Sequence, residues 1–226
     1  MDKDTLIQTV PLFSDLSDTS LKVITGKMVA RSYDKEKMIL IEESAGETFF
    51  LISKGTVKIT RMSDDGREVI LAILGEGDFF GEMALLDGEG RSANVIALED
   101  AEVLTLQRSD FLDILERFPK IAIHLLKELT ARIRYSDQQI ESLSLSGAEQ
   151  RIALVLIRLA EEMGQIKEGT VTIEHIPYQQ DIANMAGTSR ETVSRVYKML
   201  EDKNHIVREG KTLKIIAFSI FSRQFT

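Results

Sequence analysis

The 226-residue chain contains no cysteine, and that absence removes disulfides, thiolate zinc sites, iron–sulfur clusters and thiol-based redox sensing together. Histidine is nearly as scarce. His124, His175 and His205 stand far apart with no helical or hairpin spacing between them, so each is expected at the surface or hydrogen-bonded, and no metal site or haem is expected. No apolar run approaches the roughly 18 residues of a membrane span, and the N-terminal MDKDTLIQTV lacks a basic start followed by an apolar stretch. A cytoplasmic protein with no membrane partner is therefore expected. Neither a P-loop nor a convincing nucleophile–base pair is present, so the expectation is of a binding protein rather than an enzyme.

Hydrophobic residues make up 43% of the chain and charged residues 28%, an ordinary balance for a globular protein with apolar cores. The length suits two small domains better than one large one. The net charge of −8 is unevenly distributed. Residues 1–147 carry 17 Lys/Arg against 26 Asp/Glu, whereas residues 148–226 carry 11 against 10 and residues 187–215 carry 7 against 4. The acidic part lies N-terminal, and a nucleic-acid surface is permitted only near the C-terminal end.

Glycine marks the organisation. From Leu40 to Leu106, short runs rich in Ile, Val, Leu, Phe and Thr are punctuated by glycines at 46, 55, 66, 75, 77, 81, 88 and 90, which reads as an all-β sandwich, jelly roll or barrel. FFLISKGTVKIT and REVILAILGEGDFF read as alternating strands, and SDDG before Arg67 as a hairpin turn. From Ser109 to Ser146 there is no glycine, and the only proline is Pro119, so a long helix is expected after it. Leu126, Leu129, Ile133, Ser136, Ile140 and Leu143 alternate spacings of three and four, the seam of a coiled coil that seeks a partner helix. Ser136 is the polar member, either a register device or a ligand contact. Ser144, Ser146 and Gly147 read as a hinge. Beyond it RIALVLIRLAEEM is an amphipathic helix, TVTIEHI a strand, and YQQDIANMAGTSRETVSRVYKMLEDK two helices joined at Gly187.

In that helix pair the apolar Ile182, Ala183, Val193 and Val196 are expected to face inward. Ala183 permits close approach and Gly187 supplies the left-handed turn. The second helix then presents Thr188, Ser189, Arg190, Glu191, Thr192, Ser194 and Arg195 near its N-terminal end. Arginine donates bidentately to guanine, glutamate accepts from cytosine, and hydroxyls reach phosphates or bases. The plainer reading makes Thr188 and Glu191 a capping box and the arginines solvated surface charges. IVREGKTLKII follows as a wing turning at Gly210, with Lys211 and Lys214 available to a phosphate backbone. Helix, turn, helix and wing in this order point to double-stranded DNA.

FFGEMALLDGEGRSANV carries the residue types of a phosphate pocket. Gly81 admits close backbone approach, the N–H groups of Glu82, Met83 and Ala84 would face an anion if they open a short helix, and Arg91 would neutralise it with Ser92 adding a hydrogen bond. Glu82 would accept from a ribose hydroxyl. The same residues also suit a glycine-rich turn with a structural Arg–Glu pair.

The segment TSRETVSRVYKMLEDKNHIVREGKT resembles the recognition region of the cyclic-AMP receptor protein and FNR family of transcription regulators, and the resemblance spans essentially the whole chain. It implies an α+β architecture, with an N-terminal β jelly-roll cyclic-nucleotide-binding domain over residues 1–118, a long dimerisation helix and hinge over 119–146, and a winged helix-turn-helix DNA-binding domain over 147–226. Arg190, Glu191 and Arg195 take the family's base-reading positions, implying a homodimer on an inverted repeat of a TGTGA-like half-site, with half-sites about one helical turn apart on a bent duplex. RNA polymerase is an implied partner, and Gln165–Gly169 is a candidate contact loop. Gly81, Glu82, Arg91 and Ser92 match the family's phosphate-binding cassette, which implies a cyclic nucleotide effector, cyclic AMP first, and no tightly bound cofactor. The family contacts the base with adjacent hydroxyl residues on the long helix. Ser136 matches the first, whereas Asp137 departs from the second, because a carboxylate accepts equally from an adenine amino group or guanine N–H groups. Cyclic GMP, cyclic di-GMP, a non-nucleotide effector such as 2-oxoglutarate, or ligand-independent action stay open.

Overall fold

The computed structural model describes residues 3–225, with side chains from residue 6 onward. Two compact units divide between Arg134 and Tyr135.

In the first unit, two short helices, α1 (Lys3–Thr9) and α2 (Asp18–Lys27), precede eight strands. The strands are β1 (Val29–Tyr33), β2 (Met38–Leu40), β3 (Thr48–Lys54), β4 (Val57–Met62), β5 (Glu68–Leu74), β6 (Phe79–Phe80), β7 (Asn94–Ala97) and β8 (Ala101–Gln107), with a one-and-a-half-turn helix α3 (Glu82–Asp87) between β6 and β7. They form two antiparallel sheets, β1-β8-β3-β6 and β2-β7-β4-β5. The turn expected at SDDG closes the β4–β5 hairpin through Ser63 N–H to the Arg67 carbonyl at 2.9 Å.

β3 departs from the expected alternation, because both of its faces are covered. Phe50 and Ile52 pack between the sheets with Val57, Phe80, Val95 and Val103. Phe49 and Leu51 point the other way into a second core built with α1, α2 and α4 (Arg108–Arg117). There Phe49 stacks on Phe111 at 4.8 Å between ring centroids. A strand buried on both faces reads as a continuous apolar run.

α5 (Pro119–Leu145) is the long helix expected from the missing glycines, 27 residues in extent. Ile121 and Leu125 are buried in the α-side core, with Leu129 half-buried against it. Leu126, Ile133, Ile140 and Leu143 of the same seam are more than half exposed. The seam thus divides: Leu129 serves its own domain, whereas Leu126, Ile133 and Ile140, spaced by sevens, stay exposed.

The second unit contains α6 (Ala148–Met163), β9 (Gln165–Lys167), β10 (Thr170–Ile173), α7 (Gln179–Ala186), α8 (Arg190–Asp202), β11 (Ile206–Glu209), β12 (Thr212–Ile215) and α9 (Phe218–Phe225). The strands form one antiparallel sheet, β11-β12-β10-β9. The expected loop Gln165–Gly169 is instead strand β9 and the turn into β10, paired through Ile166 and Val171. Arg151 of α6 ties the hinge to the helix turn, donating from Nη1 to the Ser146 carbonyl at 2.7 Å and from Nε to the Ala186 carbonyl at 2.8 Å. Among the described residues no helix is long and apolar enough to cross a membrane.

Candidate effector and nucleic-acid sites

The effector cradle begins where β6 ends. Gly81 adopts φ +81° as the N-cap of α3, a left-handed conformation that a side chain would strain. A Cβ there would also come within 2.6 Å of Arg91 Nη1, and one on Gly46 would overlap Ala84 and press on the same guanidinium. Arg91 is 5% exposed. It donates from Nη1 to the Gly81 carbonyl at 2.6 Å and from Nη2 to the Thr48 carbonyl at 2.7 Å. Its buried Nε has no hydrogen-bond partner among the described residues. Burial pulls this guanidinium below its usual range, with Glu82 and Glu47 opposing.

Glu82 is 3% exposed, and its Oε1 accepts from Arg132 Nη1 of α5 at 3.0 Å. Arg132 also donates to the Phe79 carbonyl at 2.7 Å and lies over the Phe79 ring. Burial pushes the Glu82 carboxyl up, opposed by Arg132, by a hydrogen bond from its own backbone N–H and by Arg91. Met83 is exposed and Ala84 buried. The Ser92 hydroxyl is exposed and lies 3.6 Å from the Met83 sulfur. Gly81, Glu82, Met83, Ala84, Arg91 and Ser92 thus gather at one place. Sequence reasoning missed Arg132, fifty positions from Glu82. Ser136 and Asp137 are exposed on α5 and fall within the second unit.

In the second unit, Ile182, Ala183, Val193 and Val196 are all buried between α7 and α8, as their positions suggest. Gly187 takes φ +58° at the turn. The cap lies one residue beyond the expected capping box. Thr188 N–H still bonds to the Ala183 carbonyl at 3.0 Å, so Thr188 belongs to the turn, and Ser189 is the cap, its Oγ accepting from Thr192 N–H at 3.2 Å. Glu191 is not the reciprocal partner of Thr188. Its carboxyl is lowered by its own backbone N–H, then by Ser189 and Arg190.

Arg190, Glu191, Ser194 and Arg195 are exposed along one face of α8, Ser189 is exposed at its start, and Thr188 and Thr192 are half-buried. Arg195 donates from Nη2 to the Thr192 hydroxyl at 3.1 Å. Lys198 extends the exposed face by one turn; its spacing of four from Ser194 is the signal that could have found it. Arg190 also borders a groove of about 600 Å³ lined by Tyr178, Gln179, Gln180 and Asp181. On the wing Lys211 is exposed, and Lys214 forms a solvent-exposed ion pair with Glu209 at 2.9 Å.

A cyclic nucleotide-binding domain family matches residues 30–118, and a Crp-like helix-turn-helix domain family matches residues 150–219. The cyclic AMP receptor protein of Thermus thermophilus is 35% identical over 218 residues, covering 93% of this chain and 98% of that protein. The chain belongs to the cyclic-AMP receptor protein and FNR family. Among solved structures, FixK2 from Bradyrhizobium japonicum has the same fold, with a TM-score of 0.79 at 22% identity over 88% of this chain and 98% of its own. The c-di-GMP-responsive regulator CLP of Xanthomonas campestris matches with a TM-score of 0.74 at 21% identity over 88% and 99%. As a member of the cyclic-AMP receptor protein and FNR family, the chain is a DNA-binding transcription regulator with a cyclic-nucleotide-binding domain, and not an enzyme. The helix-turn-helix match contains the whole exposed face of α8, and the nucleotide-domain match contains the whole Gly81–Ser92 cradle.

Proposed function

We propose that the protein is a homodimeric regulator that reads an inverted DNA repeat under the control of cyclic AMP. In this reading residues 1–118 sense the nucleotide, 119–146 dimerise and relay, and 147–226 read DNA and meet RNA polymerase in the cytoplasm. The observation that carries the effector assignment is the Arg91 guanidinium, buried in a glycine-lined cradle with an unpartnered Nε and held by neutral carbonyls. A buried cation with unspent donor capacity suits an anion. The cyclic phosphate would take Arg91, Ser92 and the first N–H groups of α3, and the ribose would compete for Glu82 against Arg132. Ser136 and Asp137 would meet the base. Arg190, Glu191 and Arg195 would read base edges, with Thr188, Ser189, Thr192, Ser194 and Lys211 on phosphates or neighbouring bases. Cyclic AMP is put first because the Thermus relative is a cyclic AMP receptor protein. The structural neighbour responsive to cyclic di-GMP makes that nucleotide the second to test.

The test is fluorescence anisotropy of a labelled duplex bearing two TGTGA-type inverted half-sites, at fixed salt, with cyclic AMP, cyclic GMP or cyclic di-GMP. Cyclic AMP alone is expected to tighten binding roughly 5- to 150-fold, the usual range of coupling between two sites. Arg91→Gln is expected to abolish that response and leave nucleotide-free DNA binding unchanged. Tight binding that no nucleotide alters would remove the cradle from the mechanism and keep the DNA reader.

A further inference from the structure

The wing hairpin β11–β12 is buried at its base through Ile206, Leu213 and Ile215. Its outer part, Val207 to Lys211, is exposed. On one side the Lys211 carbonyl accepts from Ile176 N–H at 3.1 Å. On the other, Arg208 reaches α8. Its Nε and Nη2 donate to Glu201 Oε1 and Oε2 at 2.7 and 2.9 Å, and its guanidinium lies over the Tyr197 ring at 4.9 Å. Tyr197 is 2% exposed, so the guanidinium stands on a fixed ring.

An ion pair with a third of each side chain exposed adds little to stability. A planar fork on a carboxylate, stacked on an aromatic face, instead fixes geometry. Each end of this one belongs to an element of the candidate DNA surface. Glu201 and Tyr197 are on the recognition helix, and Arg208 is three residues before Lys211. Because Glu201 spends the Arg208 fork, Arg208 is ill suited to a phosphate, and because Arg208 spends the Glu201 charge, this carboxylate is not presented bare to DNA.

We propose that Glu201 and Arg208 are positioning residues for DNA binding, a clasp seated on Tyr197 that sets the wing against the recognition helix so that Lys211 and the α8 side chains engage one duplex together. The inference rests on the proposed role of Lys211 as a phosphate contact. It makes a sign prediction that separates it from the alternative in which Arg208 is itself a phosphate ligand. Glu201→Gln would free such a ligand and tighten binding, whereas it opens a clasp and weakens binding.

The experiment measures duplex affinity and its salt dependence for the full chain and for Glu201→Gln, Lys211→Ala and the double variant, at saturating cyclic AMP. Lys211→Ala is expected to weaken binding roughly 3- to 10-fold and to make the slope of log affinity against log salt shallower by about 0.9, the signature of one lost phosphate contact. Glu201→Gln is expected to do the same, with the double variant no weaker than either single one and the thermal unfolding midpoint within about 2 °C of the parent. Tighter binding with a steeper slope in Glu201→Gln, or additive effects in the double variant, overturns the clasp. Lys211→Ala without effect overturns its premise. A parent chain that fails to bind the duplex at all counts against the half-site reading instead.

Discussion

Tyr197 carries a hydroxyl that the fold does not use. The residue is 2% exposed, its Oη has no partner among the described residues, and burial pushes the phenol far above its usual range against a smaller opposing pull from Arg208. A buried hydroxyl without a hydrogen bond is destabilising by roughly 1–3 kcal/mol. Tyr197→Phe keeps the ring under Arg208 and removes only that burden. It is expected to leave the chain as stable as the parent or up to about 1 kcal/mol more stable by chemical denaturation, and a clear loss would mean that the hydroxyl has a partner. Arg91 Nε is stranded in the same sense, but it belongs to a charged fork in a cradle that Gly46 and Gly81 keep open. Arg91 and Glu82 were legible because the chemistry of the cassette is local in sequence. Arg132 was not, because an ion pair across fifty positions leaves no spacing to read.

At the scale of elements, the start of α8 decides how the reader is presented. Ser189 holds the Thr192 N–H, and Arg195 leans on the Thr192 hydroxyl, so the cap and the reading face meet at Thr192. Ser189→Ala is expected to lower unfolding stability by about 1 kcal/mol, as loss of a serine cap does elsewhere, which a denaturation midpoint would register. An unchanged midpoint would show that the cap is dispensable. The helix-turn-helix was readable because its period, its glycine and its polar face agree; the cap was misplaced by one because Thr188 and Ser189 are both capping residues, and only the hydrogen bond to Ala183 separates turn from helix. β3 misled in a different way. Alternation signals one wet face, and Phe49–Ile52 has none. Helix α9, eight residues long, offered about two turns of pattern, too few for a periodicity to stand out.

For the whole molecule the decisive surface is the exposed row of α5. Leu126, Ile133 and Ile140, spaced by sevens, are 63%, 62% and 63% exposed, and Ile123, Leu126, Lys127, Thr130, Ala131 and Arg134 line a shallow groove beside them. Such a row suits the seam of a two-helix coiled coil, for which the same helix of a second copy would present the complementary row. Burying each isoleucine contributes roughly 2 kcal/mol. With two isoleucines on each of two chains, Ile133→Glu with Ile140→Glu would forfeit about 8 kcal/mol, enough to carry a nanomolar dimer to about millimolar. Sedimentation is expected to give twice the 25.4 kDa chain mass for the parent and the single chain mass for the variant. Both positions are exposed within the chain, so circular dichroism should be unchanged, and DNA binding should fall sharply as two half-sites cease to be read together. A variant of parental size would assign the exposed row of α5 to some other contact, and would require a reader carrying only 7 cationic residues against 4 acidic ones over residues 187–215 to hold its site without the affinity of a paired copy.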